Sequence, residues 1–149
     1  MKLADAAATT ALGTRLAALV QGGDAIALIG DLGAGKTTLV GGLVTGLGGS
    51  GATSPTFSLV NQYAARLIVW HVDLYRIARA AELPELGLAD VLGVPRGVVV
   101  IEWADNFDVL PEDHLRIELD HDGDTRRASI TGTGLRGGAL AAELLASSP

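Results

Sequence analysis

The stretch Gly30-Asp31-Leu32-Gly33-Ala34-Gly35-Lys36-Thr37 constrains this chain more than any other. It follows a short continuous apolar run, Ala25-Ile26-Ala27-Leu28-Ile29, of the kind that forms a strand buried on both faces. It precedes a helical pattern in which Leu39, Val40, Leu43, Val44 and Leu47 share one side until Gly48-Gly49 stops it. The pattern G-x-x-x-x-G-K-[ST] arises by chance in on the order of 1 in 200 chains of this length. A strand before it and a helix after it are the context that gives it meaning.

The chemistry follows from the residue types. Glycines let backbone N–H groups curl around phosphate oxygens without a side-chain clash. The helix beginning near Lys36 adds unpaired donors and a positive dipole end. Lys36 places a charge on terminal phosphates, and the Thr37 hydroxyl is a hard oxygen ligand for Mg²⁺. Asp31, Leu32, Gly33, Ala34, Gly35, Lys36, Thr37 and Thr38 are therefore expected to hold a nucleotide. The chain has no Asn-Lys-x-Asp element to read guanine, which favours ATP. Of its eleven Lys and Arg residues only Lys2 and Lys36 are lysines, and one of the two sits in the glycine loop.

Mg²⁺ also needs carboxylates close by, and in an open α/β sheet these belong at the C-terminal ends of strands. Two acids fit. Asp73 ends the run Leu67–Val72, and Glu102 ends Val98–Ile101. The expected division places Glu102 with the metal and Asp73 with the attacking water; the residues do not exclude the reverse. His71 is expected on the opposite face from Asp73, packed or hydrogen-bonded. Ser54 and Thr56 read either as turn residues around Pro55 or as hydroxyls of a switch-like loop over 52–58. Trp103 beside Glu102 reads as a core residue.

The rest of the pattern alternates strands and helices. Asp5 can cap a helix from about Ala6 to Val20. Residues 57–63 make a possible strand, and Ala80 to Leu92 reads as short helices broken near Pro84 and Gly87. Residues 115–119 and 126–131 read as late strands around the turn Asp122-Gly123-Asp124, followed by a helix over 137–146. Gly41 and Gly42 inside the second helix suggest close packing there. The reading is one α/β domain over 1–149, a three-layer P-loop NTPase-like fold with a mainly parallel central sheet and late strands free to run antiparallel. The absence of cysteine excludes disulfides and thiolate metal sites. No secretory or membrane-spanning pattern is present, so a cytoplasmic protein without membrane contact is expected. The net charge of −6 suits neither nucleic-acid backbone binding nor a basic interaction patch.

The motifs also resemble a family. Gly30 to Thr38, then Ser54-Pro55-Thr56-Phe57, then His71-Val72-Asp73-Leu74-Tyr75-Arg76, then Ile101-Glu102-Trp103 occur in the order and spacing of the bacterial TsaE (YjeE) ATPases of tRNA threonylcarbamoyladenosine biosynthesis. The likeness runs from about Thr9 to about Ile130. Val72 stands where family members often carry an aromatic residue, and Ala104 where many carry proline. The resemblance implies ATP hydrolysis in support of threonylcarbamoyl transfer to a tRNA adenosine. It implies a TsaD–TsaB transferase complex as partner, with tRNA reached only through that complex. By position it gives Lys36, Asp73 and Glu102 catalytic roles, with Thr37 and Glu102 at Mg²⁺. It places Trp103 beside the nucleotide, with Arg76 as an accessory. A small-molecule kinase and a nucleotide-dependent binding module are the competing readings of the residues. Against the kinase, only Arg76 and Arg79 lie near the motifs, and little chain is left for a lid.

Overall fold

The structure, a computed structural model, describes residues 1–50 and 59–147. Ser54 and Thr56 lie outside the described residues, as does the start of the expected strand at 57. The elements are β1 (Lys2–Leu3), α1 (Ala6–Ala17), β2 (Ala25–Ile29), α2 (Lys36–Gly46), β3 (Val60–Tyr63), β4 (Ile68–Asp73), α3 (Leu88–Val91), β5 (Gly97–Glu102), β6 (His114–Asp122), β7 (Thr125–Thr133) and α4 (Gly134–Ala146). Two 3-10 segments, Ala80–Leu86 and Ala104–Asn106, complete the set. Among the described residues no helix is long and apolar enough to cross a membrane.

The strands form one sheet in the order β1-β7-β6-β2-β5-β4-β3. Its centre, β6-β2-β5-β4, is parallel. The flanking pairs β3–β4, β6–β7 and β1–β7 are antiparallel. The late hairpin turns back as expected. Two antiparallel partners had no counterpart in the sequence pattern, namely β3 against β4 and the two-residue β1 on the outer edge of β7. β1 is held largely by backbone bonds, with the Ala128 N–H donating to the Met1 carbonyl at 2.8 Å, and side-chain periodicity carries no trace of such pairing.

Strand residues alternate between two cores. Ile26, Leu28, Val69, Val98 and Val100 face α1, α2 and α4. Ala27, Trp70, Val72, Val99 and Ile101 face the other side, under α3, the 3-10 segments and their loops. The second outer layer is thus built from one-turn pieces rather than long helices. Pro84 lies inside the first 3-10 segment, and Gly87, left-handed at φ 71°, ends that segment and starts α3.

α1 and α2 pack backbone to backbone. The Asp5 side chain accepts from the Ala8 N–H at 2.9 Å and starts α1. The helix stops at Ala17, short of Val20, because the N–H groups of Ala18, Leu19 and Val20 turn back onto Arg15 and Leu16. A Cβ built on Gly42 would collide with the Thr10 carbonyl, and one on Gly13 with the Leu39 carbonyl, whereas one on Gly41 would meet nothing within 4 Å. The suspicion of close packing therefore holds for Gly42 and not for Gly41. Opposite outcomes are expected for the same substitution at adjacent positions. Gly42→Ala should destabilise the fold by about 1–3 kcal/mol through overpacking. Gly41→Ala should stabilise it by up to about 1 kcal/mol through helix propensity. Urea unfolding of the two variants checks both signs, and a Gly42→Ala protein as stable as the parent would contradict the packing.

Candidate nucleotide site

The parallel centre of the sheet puts three strand ends together. Leu28 pairs with Glu102 across β2 and β5, and Asp73 pairs with Glu102 across β4 and β5. Because side chains alternate along a strand, Glu102 shares a face with Val98 and Val100, and Asp73 with Val69. That is the face on which α2 lies. Both acids therefore stand opposite the N-terminus of α2, the end that carries Lys36 and Thr37. Leu32, Gly33, Gly35, Lys36, Thr37, Thr38, Asp73, Glu102 and Trp103 line one cavity of about 230 Å³.

The glycine loop needs its glycines. Gly30, Gly33 and Gly35 have φ of 156°, 79° and 108°, where residues with a Cβ are strained. A Cβ on Gly30 would also lie 2.5 Å from the Leu119 carbonyl oxygen. Gly35 is the N-cap of α2 and caps it with no side chain, so the first N–H groups of the helix face the loop. Asp31 accepts from the Ala34 N–H through its carbonyl, closing the loop at 3.1 Å. Leu32 is 64% exposed at the tip.

Lys36 is buried. Its ammonium donates to the carbonyls of Gly30 and, at 3.1 Å, Asp31. Its Nζ lies 4.4 Å from the centre of the Trp103 ring, a cation–π distance. Burial pushes its pKa below the ordinary lysine value, against the pull of Glu102, Asp73 and Asp31. Trp103 is held in the left-handed region at φ 59°, which costs a non-glycine residue about 1–2 kcal/mol. Its ring also packs on Tyr75 with centroids 4.9 Å apart. Trp103 is therefore a wall of the site rather than a core residue, and Trp70 on β4 fills the core instead.

Asp73 is raised above the usual aspartate range, first by burial and further by Glu102. The Tyr75 N–H donates to its Oδ1 at 2.9 Å and opposes that rise, as do His71 and Lys36. Glu102 is 3% exposed and bonded to the Nε2 of His71. The expectation that His71 points away from Asp73 is corrected here. Residues two apart on a strand share a face, and His71 stands behind the two acids, fully buried and hydrogen-bonded. Arg76 is exposed on the loop after β4.

Some contributors had no readable signal. Thr9 of α1 packs against Gly35, and Arg126 of β7 donates to the Gly33 carbonyl at 3.2 Å. Each reaches the loop from a distant part of the chain. Thr38, Thr9, Arg126 and their neighbours line a second cavity of about 160 Å³ on the other side of the loop.

Known proteins resemble this chain over most of its length. The family model for threonylcarbamoyl adenosine biosynthesis protein TsaE matches residues 3–129. A Streptomyces coelicolor protein named tRNA threonylcarbamoyladenosine biosynthesis protein TsaE is 43% identical over 84% of this chain and 90% of its own. The Bacillus subtilis protein of that name is 36% identical over 91% and 87%. The crystal structure of Bacillus subtilis YdiB superimposes with a TM-score of 0.76 at 32% identity, covering 98% of this chain and 93% of that one, which supports a P-loop NTPase-like fold. With the glycine loop, Asp73, Glu102 and Trp103 gathered at one end of such a sheet, and the family model matching most of the chain, this protein belongs to the TsaE family of tRNA threonylcarbamoyladenosine biosynthesis.

Proposed function

We propose that the protein is a Mg²⁺-dependent P-loop ATPase that supports threonylcarbamoyl transfer to a tRNA adenosine as partner of a TsaD–TsaB transferase complex. One observation carries this reading. A single cavity joins the glycine loop, Lys36 and Thr37 at a helix N-terminus to the strand-end carboxylates Asp73 and Glu102. The donors fit the ligand. Mg²⁺ takes one or two protein oxygens together with substrate phosphates, and Thr37 with Glu102 offers that set. The close approach that glycine alone permits at Gly30, and the left-handed turns at Gly33 and Gly35, suit a loop whose N–H groups wrap phosphates.

Thr37 and Glu102 would hold the metal, which would offset the negative charge that develops on the phosphoryl group. The chain's own residues do the rest. The α2 N–H groups and Lys36 hold the phosphates, with Lys36 exchanging its loop carbonyls for phosphate oxygens. Asp73, fixed through Oδ1 by Tyr75, orients the attacking water and takes its proton. The second cavity, beside Thr38 and Thr9, takes the nucleoside.

The rim supports dependence on a partner. Leu32 and Tyr75 are two of the four exposed large hydrophobic residues among those described; Leu32 lines the cavity, and Tyr75 packs on Trp103, which lines it. A partner covering them excludes water and completes the site. Phosphate release is the test, measured for the isolated protein, with tRNA alone, and with the TsaD–TsaB complex. Turnover should be slow alone and rise only with the complex. Full-rate turnover alone, or stimulation by tRNA alone, would contradict the reading. Phosphate transfer to a small metabolite would favour a kinase.

A further inference from the structure

Behind the two acids lies a polar chain with no contact to the cavity. His71 is fully buried, and its Nε2 meets the Oε2 of Glu102. Its Nδ1 lies 3.4 Å from the Tyr63 hydroxyl, with the two rings 6.0 Å apart. The Asn61 Nδ2 donates to the same hydroxyl oxygen at 3.1 Å. Strand register builds this line. Asn61 pairs with His71 across β3 and β4, and alternation brings Tyr63 and Glu102 onto the same face.

The chemistry gives the line one direction. A carboxylate only accepts, so the His71 Nε2 carries the proton and donates to Glu102. The other ring nitrogen, Nδ1, faces the Tyr63 hydroxyl. The tyrosine oxygen accepts from Asn61. One carboxylate oxygen is thereby pinned from behind, in a place water does not reach.

We propose that His71 is a positioning residue, which with Tyr63 fixes the rotamer of Glu102 and so sets how well the site takes Mg²⁺. The inference rests on the proposed function, because it assumes that Glu102 sits with the metal. Buried hydrogen-bond partners of ligating groups orient them, and losing one typically weakens metal affinity about 10–100-fold. No proton transfer through His71 is required, since its donated N–H acts by direction alone.

The test titrates Mg²⁺ against nucleotide binding by calorimetry, without turnover, and follows melting temperature in parallel. His71→Phe keeps a ring of similar bulk and removes the donor. It should raise the half-saturating Mg²⁺ concentration by roughly 10- to 100-fold. His71→Gln restores an N–H near the Nε2 position and should recover most of that loss. Tyr63→Phe, which removes a single hydroxyl from an edge strand, should shift the half-point in the same direction but less. It keeps the idea testable if His71→Phe does not fold. In the nucleotide-free parent, ¹⁵N spectra should show a proton on the Nε2 of His71. Variants that lower the melting temperature while leaving the Mg²⁺ half-point unchanged would overturn the proposal, as would an Nε2 without that proton. Glu102→Gln separates the two layers. If it leaves Mg²⁺ dependence intact, the metal assignment of Glu102 is wrong. If it abolishes that dependence while the His71 and Tyr63 variants do not alter it, only the positioning role fails.

Discussion

Lys36→Ala is expected to weaken Mg·ATP binding by roughly 100-fold or more, since a hydrogen bond to a charged group contributes up to about 3 kcal/mol and each 1.4 kcal/mol is tenfold. The reason is local. Lys36 is the one lysine near the cavity, and the only other, Lys2, lies on β1. Arg126 bonds a loop carbonyl from outside, through Gly33, and its planar fork is a poor substitute for a point charge inside the loop. The fold should survive the change. Leu39, Val40, Leu43 and Val44 anchor α2 in the core without the lysine. The loop itself will loosen, because the carbonyls of Gly30 and Asp31 lose their donor. Calorimetry on the variant, beside a melting curve, separates lost binding from lost structure. Undiminished affinity in a folded variant would sink the assignment of the loop as a phosphate site.

How far the sequence could be read follows from the range of each signal. β2, the glycine loop and α2 are contiguous, and their apolar runs and glycines speak for themselves. The structure places β2 at Ala25–Ile29, the expected bounds. β4 and β5 were legible because a strand buried on both faces reads as an unbroken apolar run, and Asp73 and Glu102 close those runs. That the two acids meet follows from β4 and β5 being parallel neighbours in register, which no single strand reveals. β3 is only partly buried, and its run Val60-Asn61-Gln62-Tyr63 is half polar, so its extent was blurred. β1 has two residues and no periodicity at all.

Side-chain roles were harder to read than strand positions. His71 was assigned to the wrong face although the period of two places it with Asp73. Its partner Glu102 lies 31 residues away, and its other neighbour Tyr63 is on an edge strand. Trp103 read as core because a large aromatic after a buried strand usually is. The left-handed turn at φ 59° swings it over Lys36 instead, and a tryptophan gives no warning of such a conformation. Gly41 and Gly42 look alike in sequence, yet only Gly42 faces α1. The resemblance to TsaE placed Trp103 beside the nucleotide, and the structure sets it in the cavity over Lys36, where the run of apolar residues before it pointed to the core.

Asp73→Asn should leave nucleotide binding close to that of the parent and reduce partner-stimulated turnover by roughly 10²- to 10⁴-fold, the usual contribution of a positioned general base. Asparagine keeps the size of the side chain and an oxygen for the Tyr75 N–H, which holds Oδ1 at 2.9 Å. It loses the ability to accept a proton from water. Binding should persist because the phosphate contacts come from the loop, the α2 N-terminus and Lys36 rather than from β4. The mutation should even ease the nucleotide-free site slightly. Asp73 is raised by burial and by Glu102 beside it, so a neutral group there removes one of two crowded negative charges. The measurement is a pair of titrations, nucleotide affinity at saturating Mg²⁺ and phosphate release with the transferase complex present. Loss of turnover with binding intact supports Asp73 at the water. Equal loss of Mg·ATP binding in Asp73→Asn and Glu102→Gln would show that both acids serve the metal and that the base lies elsewhere. Unchanged turnover in Asp73→Asn would remove the aspartate from the chemistry altogether.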